Sequence, residues 1–264
     1  MHLRQHLLAS VLLLTAVPLT AAVKPNVGIL LFDYDEETVS TTTVEAQTTE
    51  EGGETLPLDN PERVHESIRR AESYYLADLL KREMRASGHF GTVMVVPDDT
   101  EFFDIIVATR ILRSNGYDFE IQVTAVDARQ ETLLERERYE IEELSGNAFA
   151  TRTDSQGNPV FAGDPYDPVF AEVINELVEN LPEDEEDRER MRKLATLRYA
   201  GDISPAAFPY GKYIKREKQG WFGGEELVPA RFPSRSDRFF QTVRQVRTSE
   251  HGALEKFDAY YSDG

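Results

Sequence analysis

Two aspartates one residue apart, Asp33 and Asp35, close the first apolar run of the chain, Asn26-Val-Gly-Ile-Leu-Leu-Phe-Asp33. A strand ending in Asp-x-Asp can set one carboxylate to attack phosphorus and the other to handle the leaving-group proton. A supporting acidic pair for magnesium would have to come from Asp164 and Asp167, which sit among prolines. Paired carboxylates can also cleave glycosidic bonds, but with 48 Asp and Glu in the chain only geometry could pick out a working pair. Asp154-Ser-Gln-Gly-Asn158 has part of a calcium-loop spacing and lacks the closing Glu, so it reads as a turn. Beyond residue 22 the histidines are His65, His89 and His251, with no His-x-x-x-His pair for zinc. Cysteine is absent, and no Gly-x-Ser-x-Gly marks a nucleophilic serine. The expectation is therefore no metal and no cofactor. Asp33 and Asp35 carry the alternative, a periplasmic hydrolase of glycans or phosphoesters; a small-ligand or metal-ion binding protein is a third reading.

A second set of residues suits binding better than catalysis. Trp221-Phe222 lie between glycines, and Tyr210 and Tyr213 precede them. Such rings anchor protein interfaces or stack on sugars; they equally seal a helix onto a core, as Tyr260 and Tyr261 could. Tyr210, Tyr213, Trp221 and Phe222 form the candidate interaction surface.

The elements that must position these residues start after a leader. Arg4, an apolar run from Leu7 to Leu19 and then Thr20-Ala-Ala have the make-up of a secretory signal over residues 1–22. The run carries Pro18 and falls short of the ~20 apolar residues a spanning helix needs. No stable membrane insertion is expected, and the address is the periplasm or the outside of a bacterium. The missing cysteine fits that address and leaves no thiol for a lipid anchor. A net charge of −19 argues against nucleic acid and against anionic membrane surfaces as partners.

Residues 34–60 are rich in Thr and Glu, have no apolar period and read as a mobile loop. Asn60-Pro61-Glu62 has the residues of a helix start, and apolar positions Val64, Ile68, Ala71, Tyr75 and Leu79 recur at helical spacing, flanked by Leu76, Leu80 and Met84, up to Ser87-Gly88. Arg69, Arg70, Glu72, Asp78, Lys81, Arg82 and Glu83 make up the opposite, charged face. His89 to Pro97 reads as a strand, and Ile105 to Leu112 as a central strand with apolar residues on both faces. Ser114-Asn-Gly116 signals a hairpin into a half-covered strand in which Phe119, Ile121, Val123 and Ala125 alternate with polar residues. Thr132 to Glu143 has helix-forming composition, but the short turn before it favours a third hairpin strand. Ser145 to Pro168 reads as a loop, Pro168 to Leu181 as an amphipathic helix, and Pro182 to Asp187 as a linker or an acidic helix start. Arg188–Ala200, Pro205–Lys215 and Asp237–Tyr260 complete a helical tail, with loops at Gly220–Gly224 and Val228–Ser236.

Four stretches carry a resemblance: Val27-Gly-Ile-Leu-Leu-Phe-Asp33; Tyr75-Leu-Ala-Asp-Leu-Leu80 with Gly88-His-Phe90; Phe103-Asp-Ile-Ile-Val-Ala-Thr-Arg-Ile111; and Val123-Thr-Ala-Val-Asp127. In this order they resemble the TolB amino-terminal domain, the LpoB-type activators of penicillin-binding proteins and the periplasmic part of the curli-secretion channel CsgG. Two departures stand out. Ala128-Arg-Gln replaces the usual glycine-bearing turn after Asp127, and the acylated cysteine frequent in that group is missing. The Asp33-x-Asp35 end also resembles haloacid-dehalogenase phosphatases, in which position 37 would be Thr; here it is Glu, with Thr38 one residue late.

The resemblance to the envelope proteins implies an α+β domain over residues 23–181. Its mixed, mainly antiparallel sheet would have about five strands and helices packed on one face, followed by a helical C-terminal extension over residues 182–264. It also implies a non-enzymatic accessory or adaptor role in envelope assembly or peptidoglycan upkeep, with another envelope protein as partner and no partner residue transferable by position.

Overall fold

The computed structural model describes residues 23–34, 39–40, 64–115, 118–141, 151–153, 156, 159–161, 164–218 and 224–262. The expected signal, Asp35, the Asn60-Pro61 helix start, Trp221, Phe222 and most of the 34–60 and 154–158 segments lie outside the described residues.

Short apolar runs form the centre. β1 (Val27–Leu30) is buried and continues, after Leu31-Phe32, into β2 (Asp33–Tyr34). Inside the expected loop, β3 (Val39–Ser40) pairs in parallel with β4 (Val64–His65). α1 (Glu66–Ser87) follows, its first free amide capped by His65, and leads to β5 (Val93–Val96). β6 (Ile105–Ser114), β7 (Phe119–Asp127) and β8 (Thr132–Ile141) then run as an antiparallel meander. Thr132 to Ile141 is thus a strand despite its helix-forming composition.

The strand order is β5-β1-β6-β7-β8, with β2 alongside β6 as the sixth strand. β1 pairs in parallel with both β5 and β6, so the sheet is mixed and the protein is α+β. In the β7–β8 turn Gln130 takes φ +66°, the backbone position that glycine would otherwise occupy. The Asp127 carboxylate holds that turn by accepting the amides of Arg129 (2.8 Å) and Glu131 (3.1 Å).

β9 (Thr151–Thr153) and β10 (Pro159–Phe161) form a small antiparallel pair within the segment expected to be a loop. α2 (Asp167–Glu179) starts with proline in its first turn, and α3 (Glu185–Ile203) starts on Glu185, Glu186 and Asp187, the acidic start expected there. The next expected helix, Pro205–Lys215, does not form. Pro209 and Gly211, at φ +88°, break the chain into turns, and Gly211 donates its amide to the Ile214 carbonyl at 2.8 Å. The following residues form a hairpin of β11 (Ile214–Lys218) and β12 (Glu225–Pro229). The C-terminal extension is therefore not wholly helical. α4 (Arg238–Ser262) closes the chain, and Asp237 caps it by accepting the amides of Phe239 (2.9 Å) and Phe240 (3.2 Å). Gly252 does not interrupt α4.

α1 and α2 cover one face of the sheet, where Val27, Ile29, Val95, Val107, Ile121 and Val123 meet Leu76, Leu80, Phe170 and Leu177. A second core forms on Met94 and Val96 of β5 and on Phe102 and Phe103, packed by Leu194, Leu197, Phe208, Leu227, Phe240 and Val243 of the extension. Gly28 lets Phe103 lie down on β1: a Cβ there would stand 2.7 Å from the Phe103 ring.

The buried row of α1 keeps Leu76, Leu79, Leu80 and Met84 of the expected apolar face and takes in two charges that apolar counting places outside. Ile68 and Tyr75 are exposed, while Arg69, Ser73, Leu76, Leu80 and Met84 face inward together with Lys81. The inward charges are matched. Arg69 Nη1 meets Glu72 at 2.7 Å, and Lys81 Nζ lies 2.6 Å from Asp78 and 2.9 Å from Asp258 of α4. Asp258 also accepts the Val95 amide (3.0 Å) and pairs with Arg85 (3.1 Å), which in turn donates to the Val93 carbonyl. The free edge of β5 is covered in this way by two helices.

Removing one partner of a buried ion pair costs about 3–5 kcal/mol, the lower end applying where another partner remains. Asp258→Ala is therefore expected to lower stability by about 3 kcal/mol in urea unfolding. Arg82→Ala, which removes an exposed partner of Asp78, is expected to cost no more than about 1 kcal/mol.

Candidate functional site: an arginine-lined cleft beside α4

Asp33 is not set in a cleft. Its side chain is 63% exposed and Arg110 binds it, with Nη2 at 2.8 Å and Nε at 3.1 Å from Oδ2. Asp164 and Asp167 build the turn into α2: Asp167 accepts the Asp164 amide at 3.0 Å, and Asp164 accepts the Tyr166 amide and the Tyr75 hydroxyl. Among the described residues no three His, Asp or Glu side chains gather where they could hold a metal ion. Of the candidate aromatic surface, Tyr210 is 55% exposed, whereas Tyr213 is buried with its ring 5.4 Å from Phe208. Tyr213 seals the second core; Trp221 and Phe222 lie outside the described residues.

The structure assembles a different constellation. Where β1 and β5 begin, at Asn26 and Thr92, the sheet end, Thr196 of α3 and one side of α4 line an open cleft of about 760 Å³. Phe102, Phe232, Phe240 and Val243 give it apolar walls, and Arg235, Arg244, Arg247 and His251 give it charge and hydrogen-bonding capacity. No carboxylate is among the lining residues.

Each side chain is placed by local structure. Arg244, Arg247, Thr248 and His251 fall at helical spacing on α4, so they share one side of it. Arg247 is the most constrained: Nη1 donates to Thr196 Oγ1 at 3.0 Å and Nη2 to the Phe102 carbonyl at 2.7 Å. Its guanidinium lies 4.8 Å from the Phe102 ring centre and 5.6 Å from that of Tyr199. Burial pulls the Arg247 pKa below its ordinary value, with the Asp104 carboxylate acting in the opposite sense. One turn further on, the His251 ring stacks on Phe102 at 5.7 Å and 4°. His251 Nδ1 is buried without a hydrogen-bond partner, and Nε2 stands 3.3 Å from Glu255.

Asp104 is the acid behind this wall. It accepts the Asn26 amide at 2.8 Å, lies 3.8 Å from Arg192 and leaves Oδ1 buried without a partner. Burial raises its pKa above the usual 3.8; the Asn26 amide, Arg192 and Arg247 partly offset the rise.

The sequence carries a signal for this wall in its local charge. From Arg231 to Thr248 there are five arginines, at 231, 235, 238, 244 and 247, and one acid, Asp237. A charge of −19 summed over the chain conceals that local reversal of sign. Arg231, Arg235, Arg238 and Arg244 make no ion pair with any described residue, whereas Arg69, Arg110, Arg129 and Arg198 are each bound to an acid.

No family model matches this sequence, and no curated protein matches it. Among solved structures, a crystal structure from Xanthomonas campestris of the family-model DUF330 is similar over 61% of this chain and 86% of that one. The identity is 14% and the TM-score 0.30, too slight to bear on fold or function.

Asp104 generates a pH prediction. A carboxyl whose folded pKa is raised favours the folded state fully below its unfolded value, and that contribution is lost as pH rises through the folded value. Asp104→Asn removes this dependence. Its stability relative to the wild type, from urea unfolding between about pH 4 and about pH 7, is expected to climb with pH. A pH-independent difference would contradict the assignment.

Proposed function

We propose that the chain is a non-enzymatic accessory protein of the bacterial envelope that works by binding another protein, in envelope assembly or peptidoglycan upkeep. The observation that carries this reading is the outer surface of α4 and the segment before it. Phe239 is 65% exposed, Phe232 and Val246 are also exposed, and Arg231, Arg235, Arg238 and Arg244 surround them without ion pairs to described residues. Aromatic rings and arginines are the residue types enriched in interface hot spots, where they combine contact area with directed hydrogen bonds. On an acidic protein this one basic, aromatic surface favours a partner with an acidic, partly apolar segment.

The envelope address rests on the signal-like leader; no helix among the described residues is long and apolar enough to cross a membrane. Asp33, the acid the hydrolase alternative would use, is bound by Arg110, which leaves that alternative without a site-level observation in its favour.

A photo-crosslinking residue placed at Phe239 in intact cells is expected to capture one defined acidic envelope protein. The same probe at Arg138, on exposed β8, should not capture it, and Arg235→Glu with Arg238→Glu should abolish the adduct. Equal capture at both positions, or an adduct indifferent to the charge reversals, would contradict the proposal.

A further inference from the structure

We infer that the cavity beside α4 is a binding site for a small amphiphilic anion: a molecule with one carboxylate or phosphate head and an apolar body. Phe232, Arg235 and Arg244 line the cleft and also edge the surface proposed above, so the two sites share residues; the titrations below use the protein alone and read the cleft without any protein partner.

Size is the first argument. About 760 Å³ lies within the range of small-molecule sites, roughly 300–1,000 Å³. Composition is the second. Arg235, Arg244 and Arg247 converge on a space otherwise walled by Phe102, Phe232, Phe240 and Val243, so charge and apolar surface lie side by side. Guanidinium groups bind carboxylate and phosphate through paired N–H donors, whereas a neutral apolar ligand would leave them uncompensated.

Pre-organisation is the third argument. Arg247 is locked between Thr196 and the Phe102 carbonyl and rests on two aromatic rings, yet among the described residues no carboxylate stands within ion-pair distance of it. A half-buried cation in that position gains more from an incoming anion than a solvated one does. Arg244 and Arg235, unpaired at the rim, supply donors that can turn towards the same head. His251 adds a buried Nδ1 with no partner. The nearby acids act on Arg247 without pairing with it: Asp104 accepts the Asn26 amide through Oδ2 and lies nearest Arg192, Glu250 accepts the Tyr199 hydroxyl and Glu255 faces His251 Nε2.

Other places in the molecule carry less. A smaller cavity near Gln130 holds Glu101, Arg198 and Asp127, but Arg198 pairs with Glu101, and Asp127 with Arg129. The open edge strand β8 alternates Glu and Arg, which suits a solvated edge.

The test is isothermal titration of the full protein with four probes: octyl phosphate, octanoate, octyl glucoside (the same tail without charge) and inorganic phosphate (the head without a tail). Octyl phosphate or octanoate is expected to bind one to one, at least about tenfold tighter than the glucoside or free phosphate. Arg244→Gln and, separately, Arg235→Gln should each weaken that binding about tenfold with unfolding midpoints unchanged. Equal affinity for the glucoside, no saturable binding of either amphiphile, or indifference to both substitutions would overturn the inference. Flotation with phosphatidylglycerol vesicles, against phosphatidylcholine controls, then assigns the source. Co-flotation marks a bilayer-borne head, and its absence alongside tight amphiphile binding marks a free ligand.

Discussion

A buried ammonium must be matched by negative charge, and at Lys81 the match comes from both ends of the protein. The side chain is 2% exposed, with Asp78 on its own helix and Asp258 from α4, 177 positions further along the chain. Charge burial of this kind adds little net stability but tolerates few alternatives, because a displaced α4 would take the Asp258 carboxylate away from Lys81. Asp258 accepts the Val95 amide as well, so one carboxylate fixes α4 against α1 and against the outer strand of the sheet. An unpaired strand edge is a site of misassociation, and here it is covered by a helix.

Everything about the cleft follows from where that carboxylate holds α4. Phe102 and Phe103 lie over the start of β6, with Gly28 leaving room for Phe103. α4 then brings Arg247 and His251 onto Phe102, and Tyr199 of α3 contributes the second ring beneath the guanidinium. The hydrogen bonds of Arg247 to Thr196 and Phe102 tie α4, α3 and the sheet together at one point. A protein whose acids are spread widely thereby gathers positive charge in one concave place. That placement is the basis of the anion site proposed above.

Much of the architecture was legible because it is written in periodicity. The alternation in Phe119 to Ala125, the hairpin signal after Ser114 and the apolar stripe of α2 all led to the elements found. β8 was legible only through context, since its Leu, Glu and Arg content favours a helix. Two kinds of information were not legible. The inward row of α1 contains Arg69 and Lys81, which any hydropathy count assigns to solvent; only their partners, distant in sequence, make burial tolerable. The stretch from Pro205 to Lys215 read as a helix after Ser204-Pro205, yet Pro209 and Gly211 turn it into the lead of a hairpin. The candidate site fared worst. Asp33 drew attention through a motif and proved to be an exposed ion-pair member, and Tyr213 is core. The arginines that matter were averaged away in a global charge, although their density between Arg231 and Arg247 was plain in the letters.

α4 is an integral part of the sheet's closure and holds the cleft in place. Native-state hydrogen exchange at the Val95 amide tests it most directly, because that amide sits on an edge strand and its acceptor belongs to α4. That amide is expected to exchange only through global unfolding, with the same opening free energy as the amides of the central strands β1 and β6. Exchange at the rate of a free sheet edge, with α4 opening at low cost while the rest of the sheet stays protected, would contradict it.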